Sequence, residues 1–499
     1  MRDDIKETRE LVNMSLYKGE QPTVINTGIS VFTVCMNRNE NLYESLKTWV
    51  ACPSIDEIII LDWSSSNKIQ YDFFPKKVKI FRVEGQKRWH LSKAFNLSAR
   101  LTSNDKICKL DSDYKISKDF FIKHRLKEGT FFAGNESAAK NENERYLNGC
   151  LYINREDFFK VNGYNENINS YGYDDTDLYD RLELSGLSKL AIDLNEIRHI
   201  AHKDSVRLNS KNIMKDSCEE SIKESKIISQ ENPWSTDSKM SSFYRHGKRL
   251  IQRPALITSI PPHNFKRHKE CIDSWVLCGF DVLSLNEQDE IKRLEDKFPN
   301  VEFIASKNSN RKHFGKPLVY IDEMIDVLRN VNAELVGICN SDIYINSPMS
   351  LQFRMRRLIK DSLVVLQRVD VDSKDNKKLY KDGFDFFLLE KENLDLIPKS
   401  KIINEEPGLC MGMPWWDYLI PLSFLQMDKK IIRIVTDRGR FLDKNIIFHR
   451  DHEANWNPLS YMYFNRKFLE LMEKVKMNIH AQGPAIIKEI LKNLSVQEI

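Results

Sequence analysis

The sequence is poor in cysteine, and none of its nine cysteines forms a Cys-x-x-Cys pair. This spacing argues against a zinc ribbon, a thioredoxin-type redox site and a disulfide scaffold, and it makes a reducing cytoplasm the expected compartment. The sequence also lacks any run that approaches the roughly 18 apolar residues needed to cross a bilayer. Residues 1–7 are mostly charged and form no signal-peptide core, so no secretory leader is expected.

A large excess of charge is missing as well. The 76 Lys and Arg residues nearly balance the 72 Asp and Glu residues, and the formal net charge is +4. This value is weak for a protein whose main role is to bind nucleic acid, although basic clusters at 203–207 and 245–253 leave that partner open. The composition, with 41% hydrophobic and 30% charged residues, is typical of a soluble globular protein, and 499 residues predict two or three domains.

Strands and helices alternate in the first half of the chain. Continuous apolar runs predict buried strands, and segments with apolar residues at helical spacing lie between them. The predicted strands are 29–35, 57–61, 78–83 and 106–110, and helical spacing occurs at 42–49 and 91–101. Such alternation indicates βα units on a mostly parallel sheet, which is an α/β fold.

The same pattern restarts after residue 250. The second set of predicted strands is 254–260, 280–285, 301–304 and 335–339, with a helix near 317–331. The sequence therefore predicts an N-terminal helix and connector (1–28), a first domain (29–210), a helical linker (211–250), a second domain (251–460) and C-terminal helices (461–499). The C-terminal helices are expected to pack on a domain, and a peripheral contact with the inner face of a membrane stays open as an alternative.

Two carboxylates follow the fourth predicted strand, in the sequence Leu110-Asp111-Ser112-Asp113. Acidic side chains one residue apart can reach toward a single divalent cation, and oxygen ligands suit Mg²⁺ or Mn²⁺. Such a cation neutralises a diphosphate. Because open α/β sheets bind ligands at the carboxyl ends of their strands, we expect a ligand site here.

A more specific set of motifs follows. It runs from Asn148-Gly149-Cys150 through Val161-Asn162-Gly163-Tyr164 to Tyr171-Gly172-Tyr173-Asp174-Asp175-Thr176-Asp177 and Arg181. This order resembles the acceptor-side half of GT-A nucleotide-sugar glycosyltransferases, in particular the galactosyltransferase-like and chondroitin-synthase-like branch. The resemblance covers residues 29–205. Tyr171 stands where the family usually has Trp, and Asp174 where it usually has Glu.

The resemblance implies roles for residues that touch the donor. Asn37 and Arg38 match positions that contact the nucleotide, and Asp62 matches the acidic residue that contacts the base or ribose. Lys93 and Asn96 lie in the helix that usually faces the donor. The expected donor is a UDP-sugar.

The resemblance also implies a metal site and a catalytic base. Asp111 and Asp113 match the motif that binds the metal and the diphosphate, and Asp175 matches the base. Sugar transfer to a hydroxyl independently requires a group that takes the proton. For Asp174 and Asp177, a simple helix N-cap is the alternative interpretation.

A histidine often completes the metal site in this fold. His199 and His202 both follow the motifs, and we select His202 because the second half contains a similar His-basic-Asp segment at 449–451. His199 stays open as the ligand, and a loop histidine without a metal role is a further alternative.

The second half repeats the landmarks of the first in the same order. Asn340-Ser341-Asp342 resembles Asp111-Ser112-Asp113, Pro414-Trp415-Trp416-Asp417-Tyr418 occupies the place of the Tyr171–Asp177 segment, and His449-Arg450-Asp451 resembles His202-Lys203-Asp204. The repeat predicts two tandem GT-A-like domains, with Asp342 and His449 as metal ligands and Asp417 as base. His452 is the alternative ligand. Because Asn340 replaces the first Asp, a catalytically dead copy stays open.

These observations predict a cytoplasmic glycosyltransferase that depends on Mn²⁺ or Mg²⁺ and has two domains. The first domain would transfer a sugar from a nucleotide-sugar to a glycan or glycolipid acceptor with inversion, and the second would add another sugar. Lys316, Arg368 and Arg438 are further basic groups that could meet a diphosphate, although a solvated surface charge is the favoured interpretation of each, and Asp385 is a candidate sugar contact. The alternatives are a glycosyltransferase that acts on modified DNA bases, and a single active transferase whose second domain binds glycan or serves as a scaffold.

Overall fold

The chain forms two compact units, which meet in the sequence between Gln252 and Arg253. The computed structural model describes residues 25–70, 75–86, 88–169, 171–201, 218–308, 311–346, 355–356, 358–372, 374–399, 408–435, 445–450, 458–474 and 485–498. The first unit ends at Gln252, and the second begins at Arg253. Each unit is an α/β domain, so the predicted fold class is confirmed.

The first unit contains eleven described strands. They are β1 (Asn26–Cys35), β2 (Glu57–Trp63), β3 (Val78–Val83), β4 (Asn104–Lys109), β5 (Tyr114–Ile116), β6 (Thr130–Ala133), β7 (Leu151–Asn154), β8 (Ser188–Ala191), β9 (Ile197–His199), β10 (Phe243–His246) and β11 (Arg249–Gln252). Nine of them form one sheet in the order β10-β11-β3-β2-β1-β4-β7-β6-β8, while β5 and β9 pair separately. The central strands β1 and β2 are buried on both faces, which explains their continuous apolar sequences.

Helices pack on this sheet and contribute to its edges. They are α1 (Asn39–Ala51), α2 (Leu91–Arg100), α3 (Phe120–Lys123), α4 (Glu142–Arg145), α5 (Arg155–Lys160), α6 (Asp174–Leu184) and α7 (Cys218–Glu231), with short 3-10 turns at Glu136–Ala138 and Tyr146–Gly149. Apolar residues of α2, such as Phe95, share one buried cluster with Phe32 of β1. This packing fixes the helix over the carboxyl ends of the central strands.

The second unit contains twelve described strands. They are β12 (Ala255–Thr258), β13 (Asp281–Asn286), β14 (Val301–Ala305), β15 (Leu335–Cys339), β16 (Ile343–Ile345), β17 (Ser362–Leu366), β18 (Arg368–Val371), β19 (Lys377–Leu379), β20 (Phe386–Glu390), β21 (Lys430–Val435), β22 (Ile447–Arg450) and β23 (Leu494–Glu498). Eight form a sheet in the order β14-β13-β12-β15-β20-β17-β21-β23, and β16-β22-β18-β19 form a smaller one.

The helices of the second unit follow the same alternation. They are α8 (Phe265–Leu277), α9 (Gln288–Leu294), α10 (Arg311–Phe314), α11 (Ile321–Asn330), α12 (Trp416–Gln426), α13 (Pro458–Lys474) and α14 (Ala485–Lys492), with 3-10 turns at Glu295–Lys297 and Lys391–Leu396. No helix in the described ranges is long and apolar enough to span a bilayer.

The two units share a core of seven strands with the same order and directions. In the first unit, β3-β2-β1-β4 are parallel, β7 is antiparallel to its neighbours β4 and β6, and β8 is parallel to β6. The strands β14-β13-β12-β15, followed by β20, β17 and β21, repeat this arrangement in the second unit. The two units are therefore copies of one topology.

Individual hydrogen bonds are repeated as well. The indole N–H of Trp49 donates to the backbone carbonyl of Tyr114 at 2.8 Å, directly after the Asp-Ser-Asp motif. Trp275 donates in the same way to Ile343, after Asn-Ser-Asp, at 2.7 Å. Both indoles are buried, so each satisfies a polar group that would otherwise cost free energy, and each ties the motif to the first helix of its unit.

The linker predicted at 211–250 is wrong for its described part. Residues 218–250 contain α7, β10 and the first two residues of β11, and β11 pairs in parallel with β3 of the first unit. The stretch is polar because its hydroxyl groups bind that unit. Ser221 Oγ accepts a hydrogen bond from the backbone N–H of Tyr171 at 2.7 Å, and Ser229 donates to Asp177.

Two smaller differences concern the ends of the predicted segments. β1 begins at Asn26, inside the predicted connector. At the other end, the segment 461–499 contains the predicted helices but also β23, which pairs in parallel with β21. The predicted N-terminal helix within 1–24 lies outside the described residues.

Candidate active site

A cavity of about 530 Å³ lies in the first unit, beside the ends of β1 and β4. Four of the predicted site residues line it, namely Arg38, Asp111, Asp113 and Asp175. Residues of α7 form part of its wall, so the segment predicted as a linker contributes to the site. The cavity gathers carboxylates from the loop after β4 and from the start of α6, as the motif order predicted.

Asp113 stands between a cation and an imidazole. Its Oδ2 lies 2.8 Å from Arg38 Nη2 and 3.5 Å from His199 Nε2. His199 Nδ1 lies 2.6 Å from the side-chain oxygen of Asn143, whose amide nitrogen donates to the His199 carbonyl. Since the Asn143 oxygen must accept, Nδ1 donates to it, and Nε2 is the ring nitrogen that faces Asp113. A metal-binding imidazole needs this orientation.

His199, rather than His202, is the counterpart of His449. The pairing of β5 with β9 sets His199 opposite Tyr114, one residue after Asp113. In the same way, β16 and β22 set His449 opposite Ile343, one residue after Asp342. The register therefore favours His199 over His202 as the counterpart of His449, and the metal-ligand role of either histidine stays a prediction. Both histidines are the third residue of an Ile-x-His sequence. This shared sequence could have identified His199, whereas the comparison of spacings between landmarks did not. His202, Asp451 and His452 lie outside the described residues.

A buried lysine joins two of the predicted site carboxylates. Lys109 Nζ lies 3.1 Å from both Asp111 Oδ1 and Asp175 Oδ1. It also stands 4.5 Å from the centre of the Phe95 ring. Burial lowers the pKa of Lys109, but the attraction of Asp111 and Asp175 outweighs it, and the pKa ends above its ordinary value. Sequence reasoning missed Lys109, although a lysine in an apolar strand end was a signal.

Asp175 is held at the start of α6 by two donors. Tyr164 Oη donates to its Oδ1 at 3.0 Å, and Lys109 donates to the same oxygen. The helix follows Tyr173, whose φ of 67° gives a left-handed turn. Burial raises the pKa of Asp175, and Lys109 opposes that rise. The carboxylate of Asp175 is therefore held in a fixed orientation, and it is more basic than an exposed aspartate.

A glycine makes the close approach of these groups possible. A Cβ at Gly149 would lie 2.7 Å from Lys109 Nζ and 2.8 Å from Asp111 Oδ2. Any larger residue would push the lysine or the carboxylate away. The Asn-Gly of the sequence motif thus has a steric role beside the charged groups.

Four residues assigned to the donor by resemblance do not line the cavity. Asp62 is buried, forms an ion pair with Arg82 and accepts a hydrogen bond from the Ser65 N–H at 2.9 Å. Asn96 accepts from the backbone N–H of Tyr164 at 2.8 Å and donates to its carbonyl at 2.9 Å, so it orients that segment. Asn37 joins two turns, and Lys93 is buried on α2. Asp62 and Asn96 are buried polar groups that need such partners, which explains their structural use.

The predicted residues of the second unit form a similar constellation. Asp342 Oδ2 lies 3.4 Å from His449 Nε2 and 3.5 Å from Arg267 Nη2. His449 Nδ1 lies 3.0 Å from Asp370, so both ring nitrogens face carboxylates. Burial lowers the pKa of His449, but Asp342 and Asp370 raise it above its ordinary value. A metal would have to displace the proton from Nε2.

Asp417 matches Asp175 in its place on the helix. It lies near the start of α12, after Trp415 with φ of 83°, as Asp175 lies after Tyr173. Burial raises the pKa of Asp417 to about 7, although the carboxylate accepts a hydrogen bond from the Phe384 N–H at 3.2 Å. The backbone conformation therefore supports the predicted correspondence between Asp417 and Asp175.

The protein side chains of this site do not by themselves provide a complete coordination shell for a metal ion. Within the described ranges, no three His, Cys, Asp or Glu side chains converge closely enough to hold a metal ion. Asp113 and His199 can nevertheless contribute one oxygen and one nitrogen. A divalent cation bound through few protein ligands usually completes its shell with substrate phosphates and water, and this set fits that mode.

The buried carboxyl of Asp174 generates a pH prediction. Burial and the nearby Asp175 raise its pKa to about 7, whereas an unfolded aspartate ionises near pH 4. Between these values the native state binds more protons, so the free energy of unfolding falls as pH rises through that window. Asp174→Asn removes this loss. The difference in thermal midpoint between Asp174→Asn and the unmodified protein should therefore increase by several degrees from pH 5 to pH 8.

The control for this prediction is Asp180→Asn, on the exposed face of the same helix. Its thermal midpoint relative to the unmodified protein should stay constant across the range. A constant difference for Asp174→Asn would show that the native carboxyl is already ionised.

Three solved structures illustrate what the fold of this chain is similar to. The catalytic domain of Drosophila beta1,4-galactosyltransferase 7, in complex with xylobiose, is 14% identical over 45% of this chain and 92% of its own, with a TM-score of 0.32. GalNAc-T7 with UDP, GalNAc and Mn²⁺ is 15% identical over 36% and 44%, with a TM-score of 0.28. The Mycobacterium tuberculosis glucosyl-3-phosphoglycerate synthase is 16% identical over 41% and 85%, with a TM-score of 0.27.

Sequence comparison supports the resemblance for one part of the first unit. No curated protein matches the sequence. Residues 130–203 match the family model for the N-terminal domain of galactosyltransferase. This range includes Gly149, Tyr164, Asp175 and His199. The segment that supplies five of the nine charged residues lining the cavity is thus similar to the N-terminal domain of galactosyltransferase.

Proposed function

We propose that the first unit is a metal-dependent glycosyltransferase that moves a sugar from a UDP-sugar to a hydroxyl of a glycan or glycolipid. The observation that carries this proposal is the convergence of Asp111, Asp113, Asp175 and His199 on one cavity. The galactosyltransferase match across two of these residues supports it. We place the reaction in a reducing compartment, because all nine cysteines are free thiols.

Asp113 and His199 would hold the cation, together with oxygens of the donor diphosphate. When bound, Mn²⁺ or Mg²⁺ supplies positive charge that stabilises the departing diphosphate. Arg38, which is 2.8 Å from Asp113, adds a fixed positive charge to the same edge of the cavity. Preorganised charge of this kind is effective because it needs no rearrangement during the reaction.

Asp175 would take the proton from the acceptor hydroxyl. As the acceptor oxygen bonds to the anomeric carbon, the bond from that carbon to the diphosphate breaks, and the electron pair leaves with the diphosphate. The proton moves to a carboxylate oxygen of Asp175, and this single displacement inverts the anomeric centre. Lys109 and Tyr164 orient the carboxylate, while its burial keeps the pKa raised.

We further propose that the second unit is a transferase with its own donor or acceptor. Its support is the repeated topology and the repeated groups, in which Asp342, Asp417 and His449 correspond to Asp113, Asp175 and His199. Different neighbours around a shared framework are what a second specificity requires. A chain with both activities would add two sugars in turn.

The first test of this proposal replaces the carboxylates of the first unit. Asp113→Ala should abolish metal-dependent transfer. Asp175→Asn should retain donor binding but lower kcat by roughly 10²–10⁴, the usual contribution of a general base. The control is Asp180→Asn, which is exposed on the same helix and should keep full activity. Full activity of Asp175→Asn on its acceptor would exclude Asp175 as the base.

The second test concerns the metal ligand. Excess chelator should stop transfer, and Mn²⁺ should restore it at least as well as Mg²⁺, because the imidazole of His199 suits Mn²⁺ better. His199→Ala should raise the Mn²⁺ concentration for half-maximal activity at least about tenfold. His202→Ala is the matched comparison and should leave that concentration unchanged. The reverse result would make His202 the ligand.

The third test separates the two units. Asp113→Ala and Asp342→Ala are made in separate full-length proteins, and the products are followed by mass spectrometry. Each variant should lose one sugar addition and keep the other when it receives the proper acceptor. If Asp342→Ala retains every addition, the second unit is a glycan-binding or scaffolding domain instead.

A further inference from the structure

In the second unit, Asn340 replaces the first carboxylate of the motif, yet a carboxylate residue, Asp385, lies opposite Asn340 in the register of the neighbouring strand. In the first unit, β4 and β7 are antiparallel with Lys109 opposite Leu151. Continuing that register sets Asp111 opposite Gly149. In the second unit, β15 and β20 place Cys339 opposite Phe386, and the Asn340 N–H donates to the Asp385 carbonyl at 3.0 Å. Asp385 therefore occupies the position of Gly149.

The side chains at these paired positions are exchanged between the units. The first unit has a carboxylate at Asp111 and no side chain at Gly149, where a Cβ would lie 2.8 Å from Asp111 Oδ2. The second has an amide at Asn340 and a carboxylate at Asp385, and Asn340 Nδ2 donates to Asp385 Oδ1 at 2.7 Å. The carboxylate is thus on the first residue of the pair in the first unit and on the second residue in the second unit.

The cation that accompanies the carboxylate has moved as well. Ile338 stands at the position of Lys109 and carries no charge. Arg368, at the start of β18, lies 2.9 Å from Asp385 Oδ1 through Nη1. Its guanidinium stacks 4.0 Å from the Tyr380 ring, as Lys109 lies 4.5 Å from the Phe95 ring. In each unit, the carboxylate at this pair of positions thus contacts a cation that lies against an aromatic ring.

One oxygen of Asp385 is buried without a hydrogen-bond donor among the described residues. The residue is 3% exposed, and its Oδ2 has no hydrogen-bond partner within the ranges that the structure describes. Leaving a buried carboxylate oxygen without a donor is costly in free energy. A sugar hydroxyl or a water molecule on a bound cation would supply the missing donor.

We infer that Asp385, with Arg368 as its counter-ion, supplies in the second unit the ligand-binding carboxylate that Asp111 supplies in the first. The second site would then be built for a nucleotide-sugar and its divalent cation, although the motif itself has lost an Asp. This inference rests on the proposed transferase function of the second unit. It adds a binding carboxylate from the strand next to the motif.

The test measures binding to the second site alone. The full chain carries Asp113→Asn to disable the first site, and UDP is titrated in the presence of Mn²⁺ by isothermal titration calorimetry. In this background, Asp385→Asn should weaken UDP binding at least tenfold. The control Asp395→Asn, whose side chain is 81% exposed, should bind UDP as the parent does.

A charge exchange distinguishes a binding role from a structural one. The double variant Asn340→Asp with Asp385→Asn returns the carboxylate to the motif and keeps a carboxylate–amide hydrogen bond. It should recover UDP binding to within about threefold of the parent, with a thermal midpoint that shows it is folded. If it binds no better than Asp385→Asn alone, the equivalence with Asp111 is wrong.

The outcomes separate this inference from the function on which it rests. If the parent with Asp113→Asn does not bind UDP, the proposed function of the second unit fails, and this inference fails with it. If Asp342→Ala loses binding while Asp385→Asn retains it, only the inference about Asp385 is overturned.

Discussion

The placement of a positive charge between carboxylates is the constraint on which the first site depends. Asp111, Asp174 and Asp175 approach one another at the wall of the cavity, and the buried Lys109 supplies the compensating charge from within the sheet. The lysine reaches them because Gly149 has no side chain to block its path. The glycine, the lysine and the left-handed residue before α6 are thus parts of one electrostatic arrangement.

The second unit meets the same constraint with different residues. Its strand end has Ile338 in place of the lysine, and Arg368 arrives from another strand to pair with Asp370 and Asp385. Arginine presents its donors in a rigid fork, and Arg368 uses two of them, Nε at 2.8 Å from Asp370 and Nη1 at 2.9 Å from Asp385. The copies share a backbone, while the positions of their charges have changed.

Local sequence predicted most of the regular elements. Apolar runs such as 57–61 and 335–339 identified strands, because a strand buried on both faces needs nearly continuous apolar residues. The predicted linker failed for the opposite reason. Its serines and lysines suggested solvent, but Ser221 and Ser225 are buried against the first unit. Polar composition does not distinguish a solvated segment from one whose hydroxyl groups are bound by a domain.

The sequence by itself determined the α/β class, the tandem repeat and the gathering of Asp111, Asp113 and Asp175, because strand ends and helix starts of one topology meet at one edge of a sheet. Only the tertiary structure decided which groups stand next to them. Strand register selected His199 over His202 as the partner of Asp113, placed Lys109 between two carboxylates and set Asp385 against Asn340. The contacts of Asp113 with His199, of Lys109 with Asp175 and of Asn340 with Asp385 join residues that are 86, 66 and 45 positions apart, and no local pattern encodes such separations.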